Sequence, residues 1–135
     1  MKSLYYEPSN HSPLVDFNTN GCLLIEGRSV PEDVNRLFGP LIEFAAKLEA
    51  QDVVFDINLE YFNTATSKRM LELLKSLDAN NTIRNLSINW HYETDDDDNF
   101  EMGQIYEECL SKARFFYKEH FESFSLAKQN EINGV

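Results

Sequence analysis

The stretch "VVFDINLEYF", residues 53–62, alternates apolar and polar side chains at the period of an extended strand. Val53, Phe55, Ile57, Leu59 and Tyr61 fall on one face; Val54, Asp56, Asn58 and Glu60 fall on the other. "NLSINWHY", residues 85–92, repeats the pattern, with Leu86, Ile88, Trp90 and Tyr92 opposite Asn85, Ser87, Asn89 and His91. Central strands of a doubly wound sheet are covered on both faces and read as continuous apolar runs. These strands have one apolar face each. The pattern predicts a two-layer α/β domain, a mixed sheet with helices mainly on one face and much of the other face left to water or a partner.

The flanking segments supply the remaining elements. "LVDF" and "CLLIE" surround "NTNG", whose Asn20-Gly21 pair suits the positive backbone dihedrals of a tight hairpin turn. Ser29 and Glu32 have capping-box spacing and Pro31 suits a first helical turn, so a helix is expected to begin there. Its apolar stripe is Val34, Leu37, Phe38, Leu41, Phe44, Ala45 and Leu48, with a kink or interruption expected at Gly39-Pro40. Met70, Leu71, Leu73, Leu74 and Leu77 define a second helix. "NFEMGQIYEECLSKA" defines a third, with Phe100, Ile105, Cys109 and Leu110 inward. "RFFYKE" offers a last strand, although Phe115 and Phe116 are also compatible with a longer third helix. The domain is expected over residues 1–119, with 120–135 a polar C-terminal appendage.

Charge excludes several functions. With 23 acidic and 12 basic residues the formal charge is -11, and the longest basic run is Lys68-Arg69, so no nucleic-acid surface is expected. No apolar run approaches the roughly 18 residues of a membrane span, and the first ten residues lack a signal-peptide core. A cytoplasmic protein without membrane attachment is expected. Cys22 and Cys109 are too few and too far apart for a disulfide framework or a zinc site, and both are expected as buried thiols.

The chemistry-bearing stretch is "EYFNTATSKRM", residues 60–70, where Thr64, Thr66 and Ser67 lie between a strand and a helix. At about 100° per residue the apolar arc of the second helix extends back over Thr66 and Ser67, leaving Thr64 at its edge as the most accessible hydroxyl. Three roles are open: caps, nucleophiles, or phosphoryl acceptors. Capping satisfies unpaired N–H groups and contributes roughly 1 kcal/mol. A phosphoryl group on Thr64 would be tolerated, because free N–H donors and the positive end of the helix dipole favour a dianion. It would alter the surface beside Glu60, with Lys68 as a local counter-charge. A nucleophile needs a base, and His11, His91 and His120 stand in no catalytic spacing; His91 reads as a surface histidine.

No glycine-rich phosphate loop is present. In "ETDDDDNFEMG" a calcium loop counted from Asp95 places Phe100 where the sharp turn needs Gly and Tyr106 where the bidentate Glu belongs. The acidic run is better read as negative charge at the start of the third helix. No metal or cofactor is expected.

"SPLVDF", "EGRSVPED", "LEYFNTATSK" and "INWHYETDDD" occur in the order and approximate spacing of the SiaC-type bacterial regulatory phosphoproteins, which the chain resembles over about residues 4–118. The resemblance implies a STAS-like fold and a protein that is not an enzyme. It implies reversible phosphorylation of Thr64, the threonine after Asn63. The implied partners are a serine/threonine kinase of histidine-kinase-like ATPase type, a type-2C metal-dependent phosphatase, and a diguanylate cyclase that links the switch to cyclic-di-GMP and biofilm formation. Tyr61, Asn63, Thr64, Ser67 and Lys68 are then the expected partner-binding residues. Ala65-Thr66 stands where the family commonly has serines, so Thr66 is a second candidate acceptor.

Competing readings are an anti-sigma-antagonist-like module with another output, a small hydrolase or transferase using Thr64 or Cys109, and a structural dimerisation domain suggested by the aromatic edge at Trp90 and Tyr92.

Overall fold

The computed structural model describes residues 1–121 and 124–127. The strands are β1 (Leu4–Tyr6), β2 (Leu14–Phe17), β3 (Cys22–Ser29), β4 (Asp52–Phe62), β5 (Asn85–Glu93) and β6 (Arg114–His120). The helices are α1 (Val34–Lys47), α2 (Thr64–Ala79) and α3 (Asp97–Glu108). The six strands lie side by side in chain order in one mixed sheet. β1, β2 and β3 pair antiparallel, whereas β3, β4, β5 and β6 pair parallel. Every parallel step crosses through a helix in the same direction along the sheet. Because such crossovers are right-handed, α1, α2 and α3 fall on one face, as expected from the one-sided alternation. The layout is compatible with a STAS-like fold.

The apolar face of the strands meets the helices. Leu23, Ile25, Phe55, Ile57, Ile88 and Trp90 are buried against Phe38, Leu41, Met70, Leu73, Leu74 and Leu77. "RFFYKE" is a strand, not an extension of α3. Arg114 to His120 pairs with Ser87 to Glu93, so ladder hydrogen bonds decide where local apolar spacing is ambiguous.

Four local expectations are corrected. α1 starts at Val34 with Asp33 as its cap, whose carboxylate accepts from Arg36 N at 3.1 Å. Ser29 lies instead at the end of β3, fully buried. Gly39-Pro40 does not interrupt α1, since both lie on the exposed side. Water there can hydrate the Arg36 carbonyl that Pro40 leaves without a helical donor. In the β2–β3 turn only Gly21 takes a positive φ, of 99°, because the loop is closed by Gly21 N to Asn18 O and not by a two-residue turn. Finally, the inward face of α3 is Asn99, Gly103 and Tyr106, while Ile105 is exposed. Hydropathy cannot find a face built on glycine and asparagine. A Cβ on Gly103 would stand 2.8 Å from the Trp90 ring, so only glycine lets α3 approach β5 this closely.

Candidate functional site

β4 carries a bulge that sets up the corner. Leu59 pairs with Gly27 and Tyr61 with Arg28, leaving Glu60 as the extra residue. One inserted residue reverses the side-chain phase. Tyr61, expected to share a face with Val53 and Leu59, is therefore 53% exposed, and the guanidinium carbon of Arg28 lies 5.6 Å from its ring centroid.

The chain then turns into α2. Asn63 is its cap: the side-chain carbonyl accepts from Thr66 N at 2.9 Å, and its backbone carbonyl accepts from Ser67 N. Thr64 is the first helical residue and is exposed, as are Ala65 and Lys68. The N–H groups of a helix's first turn have no acceptor within the helix. Thr64 therefore presents a hydroxyl at the positive end of the dipole, where the first-turn N–H groups have no helix carbonyl to donate to.

The other two hydroxyls are engaged. Thr66 is fully buried; its Oγ1 donates to the Ser29 carbonyl at 3.0 Å and lies 2.9 Å from Ser29 Oγ. With the threonine proton spent on the carbonyl, Ser29 Oγ is the donor between the two hydroxyls. This pair ties the start of α2 to the end of β3. Ser67 is part-buried, with its Oγ 2.9 Å from Tyr106 Oη, while Tyr106 donates to the Ser67 carbonyl at 2.8 Å. Burial pushes the Tyr106 phenol up to about 12, although the Ser67 hydrogen bond opposes the rise. It remains a neutral donor at physiological pH. Neither Ser29 nor Tyr106 is assigned to this corner by sequence: the first reads as a helix cap, and the second is not among the expected inward residues of α3.

The histidine expectation is corrected. His91 is 6% exposed and both ring nitrogens are engaged, Nε2 at 2.8 Å from Asp56 Oδ1 and Nδ1 at 2.8 Å from His120 Nε2. One proton placement satisfies the chain, His120 Nε2–H to His91 and His91 Nε2–H to Asp56. These contacts lie on the sheet face away from the helices, so His91 is not placed as a base for Thr64. Cys22 and Cys109 are both exposed and free, not buried as expected. Cys22 begins β3, and Cys109 caps α3 beyond its packed face. Asp96 of the acidic run caps α3, accepting from Asn99 N at 3.1 Å, and no group of three metal-ligating side chains occurs among the described residues. No helix among them is long and apolar enough to cross a membrane.

Residues 6–120 match the model of the SiaC family of regulatory phosphoproteins. The chain belongs to the SiaC family. It is 28% identical over 116 residues to an uncharacterized protein of Pseudomonas aeruginosa strain UCBPP-PA14, covering 82% of this chain and 92% of that one. It is similar to solved SiaC of P. aeruginosa, with a TM-score of 0.78 and 26% identity over 89% of this chain and all of that one. It is likewise similar, with a TM-score of 0.79 and 26% identity over 87% of this chain and 99% of that one, to a chain in the structure of the diguanylate cyclase SiaD in complex with its activator SiaC. The SiaC segment takes in the whole Thr64 corner and ends at the last residue of β6.

Proposed function

We propose that this SiaC-family chain is a phospho-switched binding protein without catalytic activity of its own, in which Thr64 is the phosphoryl acceptor and a diguanylate cyclase is the output partner. The observation that carries this reading is the division of labour among the hydroxyls. Thr64 is exposed at a helix start, whereas Thr66 and Ser67 spend their hydroxyls on Ser29 and Tyr106. A kinase cannot reach Thr66 without unpacking the start of α2. Tyr61, Thr64 and Lys68 form the exposed docking surface, and Asn63 and Ser67 hold it in place. The writer and eraser are a serine/threonine kinase of histidine-kinase-like ATPase type and a type-2C phosphatase. The P. aeruginosa complex of SiaD with SiaC supports the choice of output.

A dianion at Thr64 would leave the fold intact and change the surface, since the helix start accepts negative charge while a docked partner must desolvate it. The test is peptide mapping after reaction with the kinase and ATP, followed by cyclase affinity. Label should appear on Thr64 and vanish in Thr64→Ala. Thr64→Asp and the phosphorylated protein should bind about thirty- to 150-fold more weakly, the equivalent of about 2–3 kcal/mol for an uncompensated interfacial charge. Label confined to Thr66 or Ser67, or equal affinity of all forms for the cyclase, contradicts the proposal.

A further inference from the structure

The sheet face away from the helices is not bare. Glu26 on β3 is 8% exposed although its side chain points away from the core, and the covering comes from beyond the family segment. Its carboxylate accepts from Ser125 Oγ at 3.0 Å, Leu126 N at 2.6 Å, Ala127 N at 3.3 Å and Asn58 Nδ2 at 2.9 Å. Asn58 also donates to the Phe124 carbonyl at 2.6 Å. The Phe124 ring stacks on His120 with centroids 4.2 Å apart and an interplanar angle of 9°, and lies 6.3 Å from His91. Leu126 lines a cleft of about 170 Å³ together with Leu24, Val54 and Asp56.

We propose that the C-terminal segment is an intramolecular strap, and that the open sheet face is a peptide-docking surface built to hold it. Three independent features converge on one four-residue stretch: a carboxylate against consecutive N–H donors, a ring against the histidine pair, and an apolar side chain walling the same cleft as Leu24 and Val54. A carboxylate this buried is costly unless it is hydrogen-bonded, and three of its four bonds come from the strap. Residues 124–127 of the expected polar appendage are the part that meets the sheet; positions 122–123 and 128–135 lie outside the described residues. The docking strip runs along β3 and β4 from Leu24 and Val54, through Glu26 and Asn58, to the Arg28–Tyr61 pair. A strapped chain therefore differs from a released one on the face that borders Tyr61. This inference is independent of phosphorylation.

The experiment uses full-length chains and amide exchange read by NMR. In the wild type the Leu126 and Ala127 amides should exchange about tenfold or more slowly than in a free peptide of residues 120–135. Glu26→Gln puts an NH₂ group against the strap's donors, and Phe124→Ala removes the stack. Each should return those amides toward the peptide rate while Ile57 and Ile88 stay protected. Fluorescein-labelled 120–135 peptide should bind Phe124→Ala, whose own strap is released, about tenfold or more tightly than the wild type, and adding Glu26→Gln should abolish that binding. Peptide-like exchange in the wild type, or peptide binding that is equal in the two chains or absent from both, overturns the proposal.

Discussion

The Ser29–Thr66 hydroxyl pair offers a quantitative test of how the Thr64 corner is held. In Thr66→Val the shape is kept but the Ser29 hydroxyl loses its buried acceptor, at a cost of about 1–3 kcal/mol. The Ser29 carbonyl is less affected, because Asn63 N still donates to it at 3.3 Å. Ser29→Ala leaves the Thr66 hydroxyl donating to that carbonyl, so its cost should be lower, roughly 0.5–1.5 kcal/mol. In the double variant no hydroxyl proton is stranded. Its loss should be no greater than that of Thr66→Val alone, which gives a coupling of about 1 kcal/mol. Urea unfolding followed by Trp90, the single tryptophan and a fully buried one, measures all four corners of the cycle. The same Thr66→Val protein should still be labelled by the kinase, since Thr64 is untouched. Losses that add to within about 0.3–0.5 kcal/mol would refute the coupled pair.

Further outcomes are expected elsewhere. Asn63→Ala removes the α2 cap and should cost about 1 kcal/mol by the same unfolding assay, whereas Thr64→Ala, one residue inside the helix, should cost less. Gly103→Ala drives a Cβ into the buried Trp90 ring and should destabilise by roughly 1–3 kcal/mol with a changed Trp90 emission spectrum. The last concerns acid. Burial, and then the neighbouring His91, hold His120 below its ordinary value of 6.5, so the unfolded chain takes up a proton first as pH falls. The groups facing His120 are His91, with Asp56 behind it, and Phe124, while Lys118 and Glu119 precede it on β6. Stability present above about pH 6.5 should be lost as pH falls through that value towards the lower folded one. The urea midpoint of the wild type should therefore decline relative to His120→Gln between pH 7.5 and 5; parallel pH profiles would contradict it.

Sequence alone determined the layers and the accessible hydroxyl. Alternation in residues 53–59 and 85–90 named one buried face per strand, and that is enough to require helices on a single side. Helical phase placed Thr66 inward and Thr64 at the edge, as the structure has them. These signals are local, carried by periods of 2 and 3.6 residues. What only the tertiary structure decided depends on partners distant in sequence. Ser29 reads as a cap until Thr66, 37 residues away, takes its hydroxyl. Tyr61 reads as inward until the bulge opposite Gly27 reverses its phase. Asn99 and Gly103 carry no hydropathy, so the face that α3 lays on Trp90 is set by closeness of approach. His91 reads as exposed because its strand position faces away from the helices; the C-terminal stretch that covers Glu26 and stacks over the histidine pair carries no local mark of where it docks. Periodicity records which way a side chain points, and burial on the second face depends on what the rest of the chain brings there.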